Sequence, residues 1–182
     1  MTTSIDPQAR FVRLARIMTG VTTIGIVLIA GLSALGFVIP DWARNALLAR
    51  LGQTGAALPL NPATQAIAGA IAAIPIAVML WGLWHVRRLF AEFAAGRVFT
   101  AAAARHLQIF GATVLAQAPL GPLTALALTV GMTLANPPGE RMLAIAFSIN
   151  DYFALIVGGV LFAAASVMRE AARIAEENAG FV

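Results

Sequence analysis

Four stretches of this chain carry no Asp, Glu, Lys or Arg, and all are long: 24 residues between Arg16 and Asp41, 36 between Arg50 and Arg87, 34 between Arg105 and Glu140, and 17 between Asp151 and Arg169. A helix crossing the roughly 30 Å hydrocarbon core of a bilayer needs about 20 apolar residues, with a range of about 17–25. Each stretch holds one crossing and none a clean second. The spacing predicts spans near 17–39, 64–86, 107–133 and 149–168. No stretch alternates polar and apolar residues as a membrane barrel strand must. The expected fold class is all-α: a four-helix transmembrane bundle with a cytoplasmic helical hairpin between spans two and three. In that layout residues 1–16 are a cytoplasmic arm and 17–182 a single membrane domain. Its hairpin covers 87–106, and a C-terminal cytoplasmic helix covers 169–182.

Composition agrees. Of 182 residues, 60% are hydrophobic and 11% charged, where soluble domains carry roughly 25% charged residues. A small soluble domain leaves a large share of its surface in water and cannot hide so much apolar area. The absence of cysteine excludes disulfides, thiolate catalysis and cysteine-ligated metal. Two histidines are too few for a protein-only zinc site, and no cofactor is expected. A net charge of +4, spread over segment ends, gives no basic face for direct nucleic acid binding.

Arg10, Arg13 and Arg16 before the first span resemble the n-region of a signal peptide, and Ala34-Leu35-Gly36 resembles a cleavage site. The apolar run continues through Ile39, beyond the usual h-region of about 7–15 residues, so an uncleaved signal anchor is expected. Orientation follows from arginine, the sole basic residue type besides histidine. With four spans both termini share one side, which collects nine arginines, while Arg44, Arg50 and Arg141 remain on the other. Arginine is retained on the cytoplasmic side, so both termini are expected in the cytoplasm, in a bacterial inner membrane.

Within this frame single segments carry further expectations. Asp41 can cap a short helix through Leu51, lying in the interface by way of Trp42, Leu47, Leu48 and Leu51. Pro75 kinks span two, and Ala66, Ala70, Ala73 and Ala77 suit close helix contact. Span two continues through Phe90 and Phe93 to a C-terminal cap at Gly96, and Thr100 caps the next helix, with Arg97 and Phe99 in the tight turn. In span three, Gln117, Pro119, Gly121 and Pro122 lie near mid-depth. They either open the helix to line a binding site or form a packed kink. Asp151 either caps span four at the outer interface or, were the helix to begin near Met142, lies buried as a candidate functional acid. Arg173 can pair with Glu170, Glu176 or Glu177 along the last helix.

Apart from Asp151 no span interior holds an acid, a basic residue or a nucleophile–base pair, and His85 and His106 lack carboxylates at ligand spacing. The expectation is therefore no enzyme.

The stretch Leu89-Phe90-Ala91-Glu92-Phe93-Ala94-Ala95-Gly96-Arg97-Val98-Phe99-Thr100 resembles a leu-phe, spacer, gly-x-hydrophobic-phe-thr pattern of the bacterial domain-of-unknown-function family 2975. The ending Val167-Met168-Arg169-Glu170-Ala171, Glu176-Glu177-Asn178 and Phe181-Val182 is similar to that family's as well. The resemblance implies four spans across nearly the whole chain and no assigned activity. It also hints at a helix-turn-helix regulator as protein partner, because some relatives are encoded beside one. No catalytic or binding residues come with it.

Two functional expectations follow. The first is a cytoplasmic interaction platform of Phe90, Phe93, Gly96, Arg97, Phe99, Thr100, Arg173, Glu176 and Glu177, with Glu176 or Glu177 pairing to Arg97 or Arg105. Against it stands the plainer reading that these arginines only fix topology and touch headgroups. The second is a small-solute transporter or channel subunit working at Gln117, Pro119 and Pro122, homo-oligomeric through its small-residue faces.

Overall fold

The computed structural model describes residues 7–52, 54, 58, 61–134 and 136–179. Among them every regular element is helical: α1 (Pro7–Val38), α2 (Pro40–Leu51), α3 (Pro62–Ala94), α4 (Ala101–Thr133) and α5 (Ile149–Ala179). All but α2 are long and apolar enough to cross a membrane, as the charge-free stretches predict. The chain is a multi-pass membrane protein.

Contacts between consecutive long helices set their register. Phe11 on α1 meets Phe93 on α3 with ring centroids 5.8 Å apart. Gln117 on α4 donates to the carbonyl of Pro75 on α3 at 2.9 Å. α4 and α5 come closest where side chains are missing: a Cβ at Gly158 would lie 2.5 Å from the Leu115 nitrogen, and one at Gly111 would lie 2.8 Å from the Phe162 nitrogen. Small residues permit this approach, and in lipid, where burial against a neighbour removes no water, close packing is what holds helices together. The helices therefore run antiparallel in the spatial order α1, α3, α4, α5, and the first and last make no extensive contact. Both described ends lie on one face, here the terminal face.

The same register gives depth. Arg87 and Arg105 lie at one level, next to the His85–His106 contact, and Arg169 reaches Gln108 nearby. About 20 residues further along each helix lie Val38, Ile67, Ala125 and Ile149, which mark the far side of a hydrocarbon layer. Between these levels Ile24, Val27 and Leu28 on α1 and Phe153, Ile156 and Val160 on α5 are exposed. Lipid tails are as apolar as these side chains, so their exposure carries no hydrophobic penalty.

On the far face the chain covers itself. α2 begins with Ile39 as N-cap and Pro40 in its first turn, so Asp41 is a first-turn residue rather than the expected cap. Proline supplies the φ that an N1 position needs and lacks only an N–H that would be orphaned there anyway. Trp42 and Leu48 are exposed as an interfacial helix requires, but Leu47 and Leu51 are buried. They join Leu58, Ala68, Ala125, Leu128 and Met132 in one apolar cluster, so α2 is a lid on α3 and α4.

Between α4 and α5, residues 140–148 are extended. Met142, Ala144 and Ala146 turn inward, while Leu143, Ile145 and Phe147 are exposed. Two threonines replace a sheet partner: the Met142 N–H donates to Thr133 Oγ1 (3.0 Å) and the Ala144 N–H to Thr129 Oγ1 (3.2 Å). Each hydroxyl donates its own proton to a carbonyl four residues back, Ala125 (3.1 Å) or Thr129 (2.6 Å). Four residues of helix match two residues of extended chain closely enough for both bonds to form.

Candidate functional site

The hairpin forms as the sequence predicts. α3 ends in a Schellman motif: Gly96 has φ +77°, its N–H bonds the Phe93 carbonyl, and the Arg97 N–H bonds the Glu92 carbonyl, both at 3.0 Å. Glycine takes this left-handed backbone without a Cβ clash. The Thr100 hydroxyl accepts the Ala103 N–H at 3.2 Å and starts α4. Glu92 accepts from Arg97 Nε at 2.7 Å, closing the turn. That hydrogen bond and the carboxylate charge hold the Arg97 guanidinium above its ordinary pKa.

The platform residues divide by contact. Phe93 stacks on Phe11 and lies edge-on to Phe90 at 6.3 Å, so this pair helps fasten α1 to α3. Phe99, at the tip, is 66% exposed. On α5, Arg173 bonds Glu170 and Glu177, both within its own helix. The expected bridges from Glu176 or Glu177 to Arg97 or Arg105 are not formed. Arg97 is taken by Glu92, five residues away, Glu177 by Arg173, and Glu176 makes no ion pair among the described residues. Partners one turn away cost far less chain ordering than partners on another element.

The proline segment is closed. α4 runs unbroken from Ala101 to Thr133 through Pro119 and Pro122, so of the two alternatives for this segment the opened helix is not the one formed. Pro122 is buried, Pro119 exposed, and the Gln117 amide is bonded to the Pro75 carbonyl. Gln117 thus acts as a tie between two proline-containing helices.

What sequence reasoning missed lies nearby. Asp151, in the first turn of α5, accepts the Ser148 N–H at 2.7 Å, and Ser148 Oγ accepts the Asp151 N–H at 3.3 Å, a reciprocal cap. The same carboxylate receives Arg50 from α2 through both terminal nitrogens, at 3.1–3.3 Å, and Arg50 Nη1 also reaches Ser148 Oγ at 3.1 Å. The Asp151 side chain is only 12% exposed. Both alternatives for Asp151 therefore hold in part: it caps α5, and it is enclosed in protein. Gly121 makes the space, since a Cβ there would lie 2.1 Å from Asp151 Oδ1 and 2.2 Å from Arg50 Nη2. The available signal was an unlike-charge pair bounding two apolar stretches, with a glycine between two prolines.

At the opposite depth His85 and His106 face each other with Nδ1 atoms 2.9 Å apart. Their ring centroids are 5.1 Å apart, the larger gap expected when the two nitrogens point straight at each other. That geometry is a hydrogen bond with one shared proton. Among the described residues no three His, Cys, Asp or Glu come together as a metal site.

Residues 38–180, most of the chain, match the family described as protein of unknown function (DUF2975). The chain belongs to that family. No curated protein and no solved structure matches it. The matched part of this DUF2975 protein runs from the end of α1 to the end of α5, and so contains the hairpin, the α2 lid with Arg50, and the Ser148–Asp151 cap.

Proposed function

We propose that this DUF2975 protein is a non-enzymatic protein of the bacterial inner membrane, its termini cytoplasmic, that works as a docking or regulatory partner through its cytoplasmic face. One observation carries the reading: on the terminal face the helices continue past the apolar layer, packed together at Leu89, Ala103, Ala104 and Ala172, and hold up a turn whose tip residue is exposed. Beyond Met168, α5 continues to Ala179, roughly three turns, and α3 continues past Arg88 to Ala94. Between them the capped turn presents Phe99, exposed, with Arg97 beside it. A rigid exposed aromatic next to an arginine is the composition of an interface anchor. Ion pairs within the tail helix keep it ordered without using up the hairpin.

A cytoplasmic regulator of helix-turn-helix type is the partner class proposed. The test is Phe99→Ala combined with Arg97→Ala, compared with the parent protein by cross-linking in native membranes. Phe99 is a cleaner probe than Phe93, which packs on Phe11 of α1, or Phe90, which lies edge-on to Phe93. The expected outcome is loss of cross-linked regulator with unchanged insertion; undiminished cross-linking would overturn the reading.

A further inference from the structure

α1 and α4 both pack against α3 without extensive contact with each other, so a groove runs along α3 between them. α2 roofs it at the far face, and the cavity measures about 570 Å³, within the roughly 300–1,000 Å³ of ordinary ligand sites. Its walls are Leu32 and Gly36 from α1, Ala72 and Ile76 from α3, and Leu128 from α4. From the far level at Ile67 to Ile76 is nine residues, roughly 13 Å of helix, close to the ~15 Å depth of one hydrocarbon leaflet. Because the side of the groove between α1 and α4 faces the hydrocarbon layer, water is not its natural occupant.

The roof supplies the other half of an amphiphile site. Trp42, Ala43, Ala46, Leu47 and Arg50 line the cavity at helical spacing, so a single face of α2 looks into it. An indole stands at one end of that face, a guanidinium at the other, and two alanines leave space between. Tryptophan favours the headgroup level, and arginine is the side chain best matched to phosphate. Arg50 commits both terminal nitrogens to Asp151 and Ser148, and among the described residues its Nε–H has no partner. We propose that the groove seats one acyl chain of a phospholipid of the far leaflet, with the lipid phosphate against Arg50 and the glycerol and ester groups toward Trp42. The Arg50–Asp151 pair fixes the guanidinium in place, so the site does not depend on the docking function of the other face.

The test uses the intact protein in detergent, with Trp81 and Trp84 replaced by phenylalanine so that Trp42 alone reports. Phosphatidylglycerol brominated in one acyl chain is the titrant. Saturable quenching of Trp42 is expected, reversed by unlabelled phosphatidylglycerol or phosphatidylethanolamine, which share the phosphodiester. Brominated diacylglycerol, lacking phosphate, should bind about tenfold more weakly. Gly36→Leu fills the groove, and because nothing lies within 4 Å of a Cβ at Gly36 the protein tolerates it; apparent affinity should fall by about tenfold or more. Quenching that grows linearly with lipid in the parent protein overturns the proposal without reference to any groove variant. Equal quenching by brominated diacylglycerol, or saturation unchanged in Gly36→Leu, overturns it as well.

Discussion

At the scale of single residues, the far-face charges behave unlike surface ions. Asp151 is 12% exposed and Arg50 25%, so water screens their attraction only in part. Removing one partner leaves the other desolvated, and hydrogen bonds to charged groups are worth about 1.5–3 kcal/mol. Arg50→Gln and Asp151→Asn should each destabilise the protein by about that much, and the double variant by clearly less than the sum. Thermal unfolding in detergent reads all three; additive effects would show that the pair does not act as a unit. Gly121→Ala inserts a Cβ against both side chains and should cost about 1–3 kcal/mol by overpacking. The histidine pair permits a sharper statement. His85 Nε2 is buried and bonds nothing among the described residues, and a buried N–H without an acceptor is rarer than a buried lone pair without a donor. His85 should therefore carry its proton on Nδ1 and donate to His106 Nδ1, a tautomer that ¹⁵N chemical shifts in labelled protein identify directly. A protonated Nε2 on His85 would refute it. Asp151 stood out in the sequence but the pairings did not, for a plain reason: Arg50 and Asp151 stand 101 positions apart, and the histidines were read as isolated because nothing local links residues 21 positions apart.

At the scale of elements, what is local was legible and what is relayed between elements was not. The Gly96 turn and the Thr100 cap depend on residues within five positions, so their residue types disclosed them. The four long helices announced themselves through the energetic cost of charge in hydrocarbon. The lid role of α2 was hidden because Leu47 and Leu51 suit an interface and a protein core equally. The extended segment was hidden too, since Met142 to Phe147 is an apolar run of ambiguous period, and its partners are hydroxyls on α4. Those hydroxyls give a prediction at this scale. Thr129→Val keeps the shape but deprives the Ala144 N–H of its acceptor. A buried donor left unmade costs about 1–3 kcal/mol, so the segment should loosen while α4 itself persists. Amide hydrogen exchange at Ala144 should accelerate in that variant, with Met142 following in Thr133→Val, whose hydroxyl it uses. Unchanged exchange at both amides would mean that the apolar inward residues alone hold the segment in place.

At the scale of the whole molecule, the two faces differ in kind, and the difference bears on which way the protein sits. The far face is closed: a lid helix, an extended segment with threonine partners, and an ion pair that draws α2 and α5 together. The terminal face is open, with helix ends standing beyond the layer and nine of the twelve arginines. Arginine-rich short segments resist export, so this open face is predicted to be cytoplasmic. Closure of the far face does not by itself set direction, but it agrees with a side that meets only headgroups and water, whereas the projecting ends suit a side crowded with proteins. Absence of cysteine makes the prediction simple to check. Single cysteines at Phe99, exposed in the hairpin, and at Asn136, half-buried between α4 and α5, offer one probe per face. In whole spheroplasts a membrane-impermeant maleimide should label the Asn136→Cys protein and spare Phe99→Cys until the membrane is permeabilised. The reverse pattern would place the hairpin outside and remove the cytoplasmic docking role with it, while leaving the phospholipid groove intact but moved to the inner leaflet.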